Sequence, residues 1–317
     1  MRRSSLIVGG LLVLCTLGYL GFSAFFGNTY SVAGAALAVP LVAHQKTPAS
    51  VKAIYMTACV AGTQTRRAEL VTLIEETELN SVVIDIKDYS GYLSFRPEDP
   101  ALLPLVSRQC MAPDMKEFIA SLHDRSIYVI GRITVFQDPV LTKERPDLAV
   151  KKRSDGSTWY DFKGLSFTDP GSREVWDSIV SIANASYEIG FDELNFDYIR
   201  FPSDGPMNDI AFSWSEGRKK SEVLEDFFIY LSEQLKPTGA VLSADLFGMT
   251  TTNTDDLNIG QVLEKAAPHF DFISPMVYPS HYPPHFLGMD NPNRYPYEVV
   301  MYSMSEAVKR FLATSTK

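Results

Sequence analysis

The fold this sequence predicts is an α/β barrel of the (β/α)8 type, here with six legible β/α units in 317 residues. Short, nearly continuous apolar runs alternate with longer amphipathic stretches, the pattern of parallel strands covered by helices. Polar residues recur at the same end of five of those runs. The composition, 45% hydrophobic, 12% aromatic and 21% charged, permits a large core and excludes a disordered or fibrous chain.

The N-terminus stands apart from this pattern. Leu6–Phe26 (LIVGGLLVLCTLGYLGFSAFF) is a run of 21 residues without a charge, long enough to span a bilayer as a helix. Arg2 and Arg3 in front of it would hold its start in the cytoplasm and send the remainder outward. A cleaved signal peptide ending at Ala36-Leu37-Ala38 is the alternative, and the length of the run favours an uncleaved anchor. Residues 1–27 are thus expected to be an anchor or signal peptide, 28–50 a small-residue and proline-containing linker, and 51–317 the barrel domain. This places the domain outside the cytoplasm, held at the cell membrane by a single span or secreted if the segment is cleaved.

The elements follow in order. VKAIYMTA (51–58) is the first strand and RRAELVTLIEETEL the first helix. SVVIDIKD (81–88) is the second strand, and a long loop leads to the helix PDMKEFIASLHDRS. IYVIGRITVF (127–136) is the third strand, joined by another long loop to the amphipathic GSREVWDSIVSIANASYEIG. ELNFDYIRFP (193–202) is the fourth strand, with a charged helix from about 217 to 235 after it. AVLSADLFGM (240–249), the short helix NIGQVLEKAAPH, FDFISPMVYPS (270–280) and the helix PYEVVMYSMSEAVKRFLA complete the order. The chain stops where a seventh strand should begin, so the barrel domain is expected to be C-terminally truncated.

In parallel barrels the chemistry sits at the C-terminal ends of the strands. Strand two ends there in Asp85 and Lys87, which share a face by the two-residue period and read either as a buried ion pair or as substrate contacts. Strand three carries Arg132, a counter-ion for Asp197 or Asp85, and Thr134. Strand four carries Glu193, Asn195 and Asp197, with Arg200 beyond; Glu193 sits early enough that a structural role competes with a catalytic one. Strand five carries Asp245, and strand six ends in Tyr278 and then His281. In the loop after strand three, Trp159, Tyr160 and Phe162 flank Asp161, as a sugar platform or as packing beneath the loop. Trp214 has the same two readings, while His281 and His285, in the loop SHYPPHF, read as functional groups or as plain surface histidines.

Two carboxylates on adjacent strands beside arginine and lysine are the parts of glycoside hydrolysis. One must stay ionised and the other must hold a proton for the leaving oxygen. Asp197, close to Arg200 and Arg132, suits the first role; Asp245, followed by the apolar Leu246 and Phe247, suits the second. The net charge of −9 and the lack of a basic stripe exclude nucleic acid as a partner and favour neutral or cationic substrates. Neither a cofactor nor a metal is expected, since no CxxC or HxH motif occurs. Three cysteines make no disulfide framework; Cys59 and Cys110 read as a pair or as two free thiols. A non-catalytic carbohydrate-binding barrel and a metal-assisted hydrolase using Asp85, Asp197, Asp245 and His281 are the rival readings.

The motifs VKAIYMTA, TELNSVVIDIKDYSGYLSF, GRITVFQDP, DFKGLSFTDPGSREVW, GFDELNFDYIRFPSDG, SADLFGM and ISPMVYPSHYPPHFLGMDNPNRYPYEVV, in this order over residues 50–312, resemble a bacterial glycoside-hydrolase domain family of unknown function, distantly similar to the alpha-amylase superfamily. The resemblance implies a (β/α)8 barrel and carbohydrate hydrolysis. In alpha-amylase-like barrels the nucleophilic Asp closes strand four, which matches Asp197. The acid there is a Glu on strand five, where this chain has Asp245. An Asp from strand seven has no counterpart here.

Overall fold

The computed structural model describes residues 42–315. Six parallel strands form a curled half-barrel: β1 (Ala53–Met56), β2 (Ser81–Lys87), β3 (Tyr128–Thr134), β5 (Glu193–Asp197), β7 (Val241–Phe247) and β8 (Phe272–Met276), hydrogen-bonded in the order β1-β2-β3-β5-β7-β8. These are the six strands expected from sequence. The two others, β4 (Lys151–Lys152) and β6 (Ile210–Ala211), pair antiparallel as a small ribbon in the loops after β3 and β5. The register places Asp85 beside Arg132, Arg132 beside Asn195 and Asn195 beside Ser243.

Alternation along each strand sorts the two faces of the sheet. Val82, Ile84 and Ile86, Val129 and Ile133, Leu194 and Phe196, and Leu242, Ala244 and Leu246 belong to one buried core on the helix side. Gly131 belongs to the same face because a Cβ there would lie 2.2 Å from Cδ1 of Ile86. The helix at Arg173–Glu188 buries Val175, Trp176, Ile179, Val180, Ile182 and Ala183, a stripe at three- and four-residue spacing. The one at Lys220–Leu235 does the same with Val223, Leu224, Phe227, Phe228 and Leu231. The opposite face, turned into the barrel, carries the polar set of Arg132, Glu193, Asn195, Asp197, Ser243 and Asp245.

β1 and β8 are the sheet's edges among the described residues. Tyr55 on β1 and Phe272 on β8 are nearly half exposed, and the helix Pro296–Ser315 turns Tyr297, Val300, Met301, Met304 and Val308 to the surface.

Residues 42–50, expected to be linker, lie instead against the N-terminal end of the barrel. The Gln45 amide donates to Asp192 Oδ1 at 2.6 Å, and Thr47 Oγ1 lies 2.9 Å from the Tyr128 hydroxyl. The His44 ring stacks on Tyr187 at 3.9 Å between centroids, and Asp192 also meets His123 Nε2 at 3.0 Å. Burial lowers the His44 pKa, opposed by Asp192 and reinforced by His123. A histidine pKa lowered in the folded state leaves the strap's full stability in place above the ordinary value near 6.5, and that contribution is lost as pH falls from there through the lower folded-state value. Protection of the Gln45 amide in hydrogen exchange is therefore expected to fall as pH drops below about 6.5, and His44→Phe to remove the change. Unchanged protection in the native chain over that range would contradict this reading.

Among the described residues no helix is long and apolar enough to cross a membrane; Leu6–Phe26 and the Ala36–Ala38 site lie outside them. Cys59 and Cys110 form a disulfide spanning 51 residues of sequence, the first of the two readings left open above.

Candidate active site

Five of the inner-face polar groups, Asp85, Arg132, Asn195, Asp197 and Asp245, form one cluster toward the C-terminal ends of β2, β3, β5 and β7. Arg132 is the hub. Its Nη1 donates to Asp85 Oδ1 at 2.8 Å, and its Nε and Nη2 donate to Asp197 Oδ2 at 3.1 and 2.5 Å. The Tyr198 amide donates to the other Asp197 oxygen at 2.6 Å, so Asp197 faces donors on both of its oxygens. Tyr198 adopts φ +53°, a left-handed conformation uncommon for a bulky residue and found where a site over-determines its backbone. Burial opposes the Arg132 charge, but Asp197 and Asp85 together outweigh it and hold the guanidinium firmly protonated.

Asp245 is the neighbouring carboxyl. The β5–β7 register runs Asn195 to Ser243 and Phe196 to Ala244, so the next residues in line are Asp197 and Asp245, on strands about 4.8 Å apart. Asn195 Nδ2 donates to Asp245 Oδ1 at 2.9 Å and to Ser243 Oγ at 3.0 Å. Burial, followed by the charge of Asp197, pushes the Asp245 pKa up to about 7. The chain behind Asp245 is fixed by close approach, since a Cβ on Gly248 would lie 2.3 Å from the Met276 carbonyl oxygen. Tyr278 is half exposed, and its pKa is raised by burial and then by Asp245 and Asp197, so its phenol lies within the field of both carboxylates. His281 stands beside it, with ring centroids 5.3 Å apart, and lies nearly parallel to Phe247.

Four sequence expectations are corrected by placement. Glu193, offered as catalytic, begins β5 and lies at the opposite end of the barrel from Asp197. It accepts from the Tyr128 hydroxyl at 3.1 Å, and burial raises its pKa against hydrogen bonds from Ser243 and Tyr128. Lys87 shares no pair with Asp85, because the register shifts between these two residues and turns Lys87 away. It is fully buried, 2.7 Å from Asp138 Oδ2, and donates to the carbonyl of Thr134. Asp138 in turn caps the helix Pro139–Glu144, so Lys87 ties the end of β2 to the start of that helix. Trp159 is no exposed platform. It is completely buried with Val150, Phe167 and Ile210 under the β4–β6 ribbon, its indole donating to Pro206 O at 3.2 Å. Arg200 makes no hydrogen bond to Asp197 and senses its charge only at longer range; it donates to Phe201 O and to Ser203 Oγ at 2.9 Å.

Tyr55 was not singled out from sequence, yet its hydroxyl donates to Asp85 Oδ2 at 2.5 Å and Arg132 lies over its ring. The signal was present in the second-last position of a strand facing the same mouth as Asp85. Burial raises the Asp85 pKa, opposed by Arg132 and Tyr55. Among the described residues no three His, Cys, Asp or Glu side chains are grouped as a metal site; Asp85 and Asp197 turn to a guanidinium instead.

A hypothetical protein from Ruminiclostridium thermocellum is 35% identical, covers 65% of this chain and 98% of its own, and superposes with a TM-score of 0.55. The PgaB (BpsB) glycoside hydrolase domain from Bordetella bronchiseptica is 15% identical over 82% of this chain and 80% of that one, with a TM-score of 0.56, a likeness of fold. No curated protein matches the chain by sequence. A sequence profile matches residues 53–317, most of the chain and the whole of the half-barrel that carries these carboxylates. The chain belongs to the family described as "Putative glycosyl hydrolase domain".

Proposed function

We propose that this domain hydrolyses a glycosidic linkage of a carbohydrate outside the cytoplasm. The observation that carries the reading is the contrast between two neighbouring carboxyls at one barrel mouth. Asp197 is clasped by Arg132 and the Tyr198 amide, which suits a nucleophile or a support for the oxocarbenium ion. Asp245 has a pKa raised to about 7, which suits the group that protonates the leaving oxygen. The shorter Asp takes the place of the Glu found in alpha-amylase-like barrels. Its approach to the leaving oxygen is set by Asn195, which holds one carboxyl oxygen. Family membership supports the reaction class, and the fold of the Bordetella domain accords with it. Export is supported by the basic start, the uncharged 21-residue run and the Cys59–Cys110 disulfide, which suits an oxidising compartment. Retention at the membrane through that run completes the proposal.

The test is reducing-end release from a panel of polysaccharides and oligosaccharides. Turnover is expected on at least one of them, with activity falling as pH rises through about 7, because Asp245 then loses the proton it must donate. Binding of the same glycans without turnover at any pH would support the non-catalytic barrel instead. That second reading draws on the open six-strand sheet, in which β1 and β8 lack neighbours among the described residues.

A further inference from the structure

Next to Asp197 in the chain, Tyr198 lines a cavity of about 230 Å³ that the chemistry of the two carboxylates does not use. Its walls include Tyr89 from the loop after β2, Gln137 and Asp161 from the chain after β3, and Tyr198, Arg200 and Ser203 from the chain after β5. All of these follow the C-terminal ends of their strands, so the cavity opens at the same end of the barrel as Asp197. Tyr198 is the shared wall: its amide holds Asp197 Oδ1 while its residue lines the cavity. Its left-handed backbone at φ +53° is a conformation kept only where the surroundings enforce it.

The lining has the chemistry of sugar recognition. Tyr89 is 60% exposed, and an aromatic ring at a cavity wall is suited to stack on an apolar sugar face. Arg200 lies over the Tyr198 ring at 5.2 Å and forms no ion pair among the described residues, so its fork is matched to hydroxyl oxygens. Asp161 is fixed by the amides of Lys163 and Leu165, each donating to Oδ1 at 2.8 Å. Gln137 is buried and held by the Tyr89 carbonyl at 3.2 Å. Two cations, Arg200 and Lys163, face two carboxylates, Asp161 and Asp204, so the lining carries no net charge and suits a neutral ring. On the other side of the carboxylates, Phe247, Tyr278 and His281 make a second aromatic shelf.

We propose that this cavity is a glycan subsite for about one neutral sugar ring, and that the site binds a chain across Asp197 and Asp245 and cuts it at an internal linkage. This rests on the hydrolase reading for the cut but not for the binding, and the experiment separates the two. Calorimetry with malto-, cello-, xylo- and chito-oligosaccharides of two to six residues would measure affinity against length, and product sizes would be followed on any glycan that is cleaved. Affinity for the bound series is expected to step up with the residue that reaches the cavity. Tyr89→Ala, at an exposed position away from the Arg132 hub, is expected to remove about tenfold of that step and leave the shortest bound chain unaffected. Arg200→Ala is expected to do the same. Early products are expected to be mixed internal fragments. Length-independent affinity, or a Tyr89→Ala protein that binds long chains as tightly as the native one, would overturn the subsite, whether or not hydrolysis occurs. Release of end units alone would overturn the internal cut. A length step with no turnover in any series would keep the subsite and remove the hydrolase reading.

Discussion

Replacing Asp197 by Asn is expected to lower kcat about 10,000-fold on whichever glycan the native domain cleaves, roughly 5 kcal/mol of transition-state stabilisation. The loss follows from the position of this side chain. Asp197 carries the negative charge that Arg132 and the Tyr198 amide are arranged around, on the strand next to Asp245. An amide of the same shape keeps the packing but brings neither a nucleophilic oxygen nor a charge for an oxocarbenium ion. The affinity for glycan is expected to change little, which calorimetry on the same variant checks. Steady-state rates within tenfold of the native value would remove Asp197 from the reaction.

The largest effect on stability is expected from Arg132→Met. The Arg132 side chain is 16% exposed, and those of Asp85 and Asp197 are 3% and 7% exposed. Removing the guanidinium leaves two buried carboxyls facing each other across an apolar side chain, and breaking a buried pair of this kind costs about 3–5 kcal/mol. The loss would be read from the shift of the urea midpoint at unchanged slope. A triple variant that also carries Asp85→Asn and Asp197→Asn is expected to recover part of the loss, because it removes the uncompensated charges along with their partner. A shift worth less than about 1 kcal/mol for Arg132→Met alone would mean that water reaches the cluster and that it is no more than a surface pair.

The strands were legible because parallel strands buried on the helix side read as apolar runs, and the alternation of SVVID, GRIT, ELNFD and SADLF marked the inner face one residue in two. That alternation brought Arg132, Asn195, Asp197 and Asp245 to one mouth, as the sequence suggested. It failed at Lys87, where a register shift breaks the two-residue period and no residue type announces it. Direction along a strand was harder to read than face. Glu193 has the same inward orientation as Asp197, yet four residues separate them, about 13 Å of strand, and that distance carries it to the far end of the barrel. Trp159 misled because an aromatic in a polar loop looks exposed until a two-strand ribbon supplies a small core of its own. The strap at His44–Thr47 resembled a linker in composition; its contacts with Asp192 and Tyr128 join positions more than 75 residues apart, which no local pattern records.

The shared mouth is tested most directly by titrating Asp245 with carboxyl-selective carbon NMR in the native domain and in Asp197→Asn, with Asp245→Asn to assign the signal. The expected result is a native midpoint near 7 that moves toward the ordinary aspartate range when the Asp197 charge is removed, because that charge stands second only to burial in holding the proton on Asp245. A native midpoint near 4, unmoved by the Asp197 substitution, would mean that the two carboxyls do not sense one another and that no acid–base pair exists at this end of the barrel.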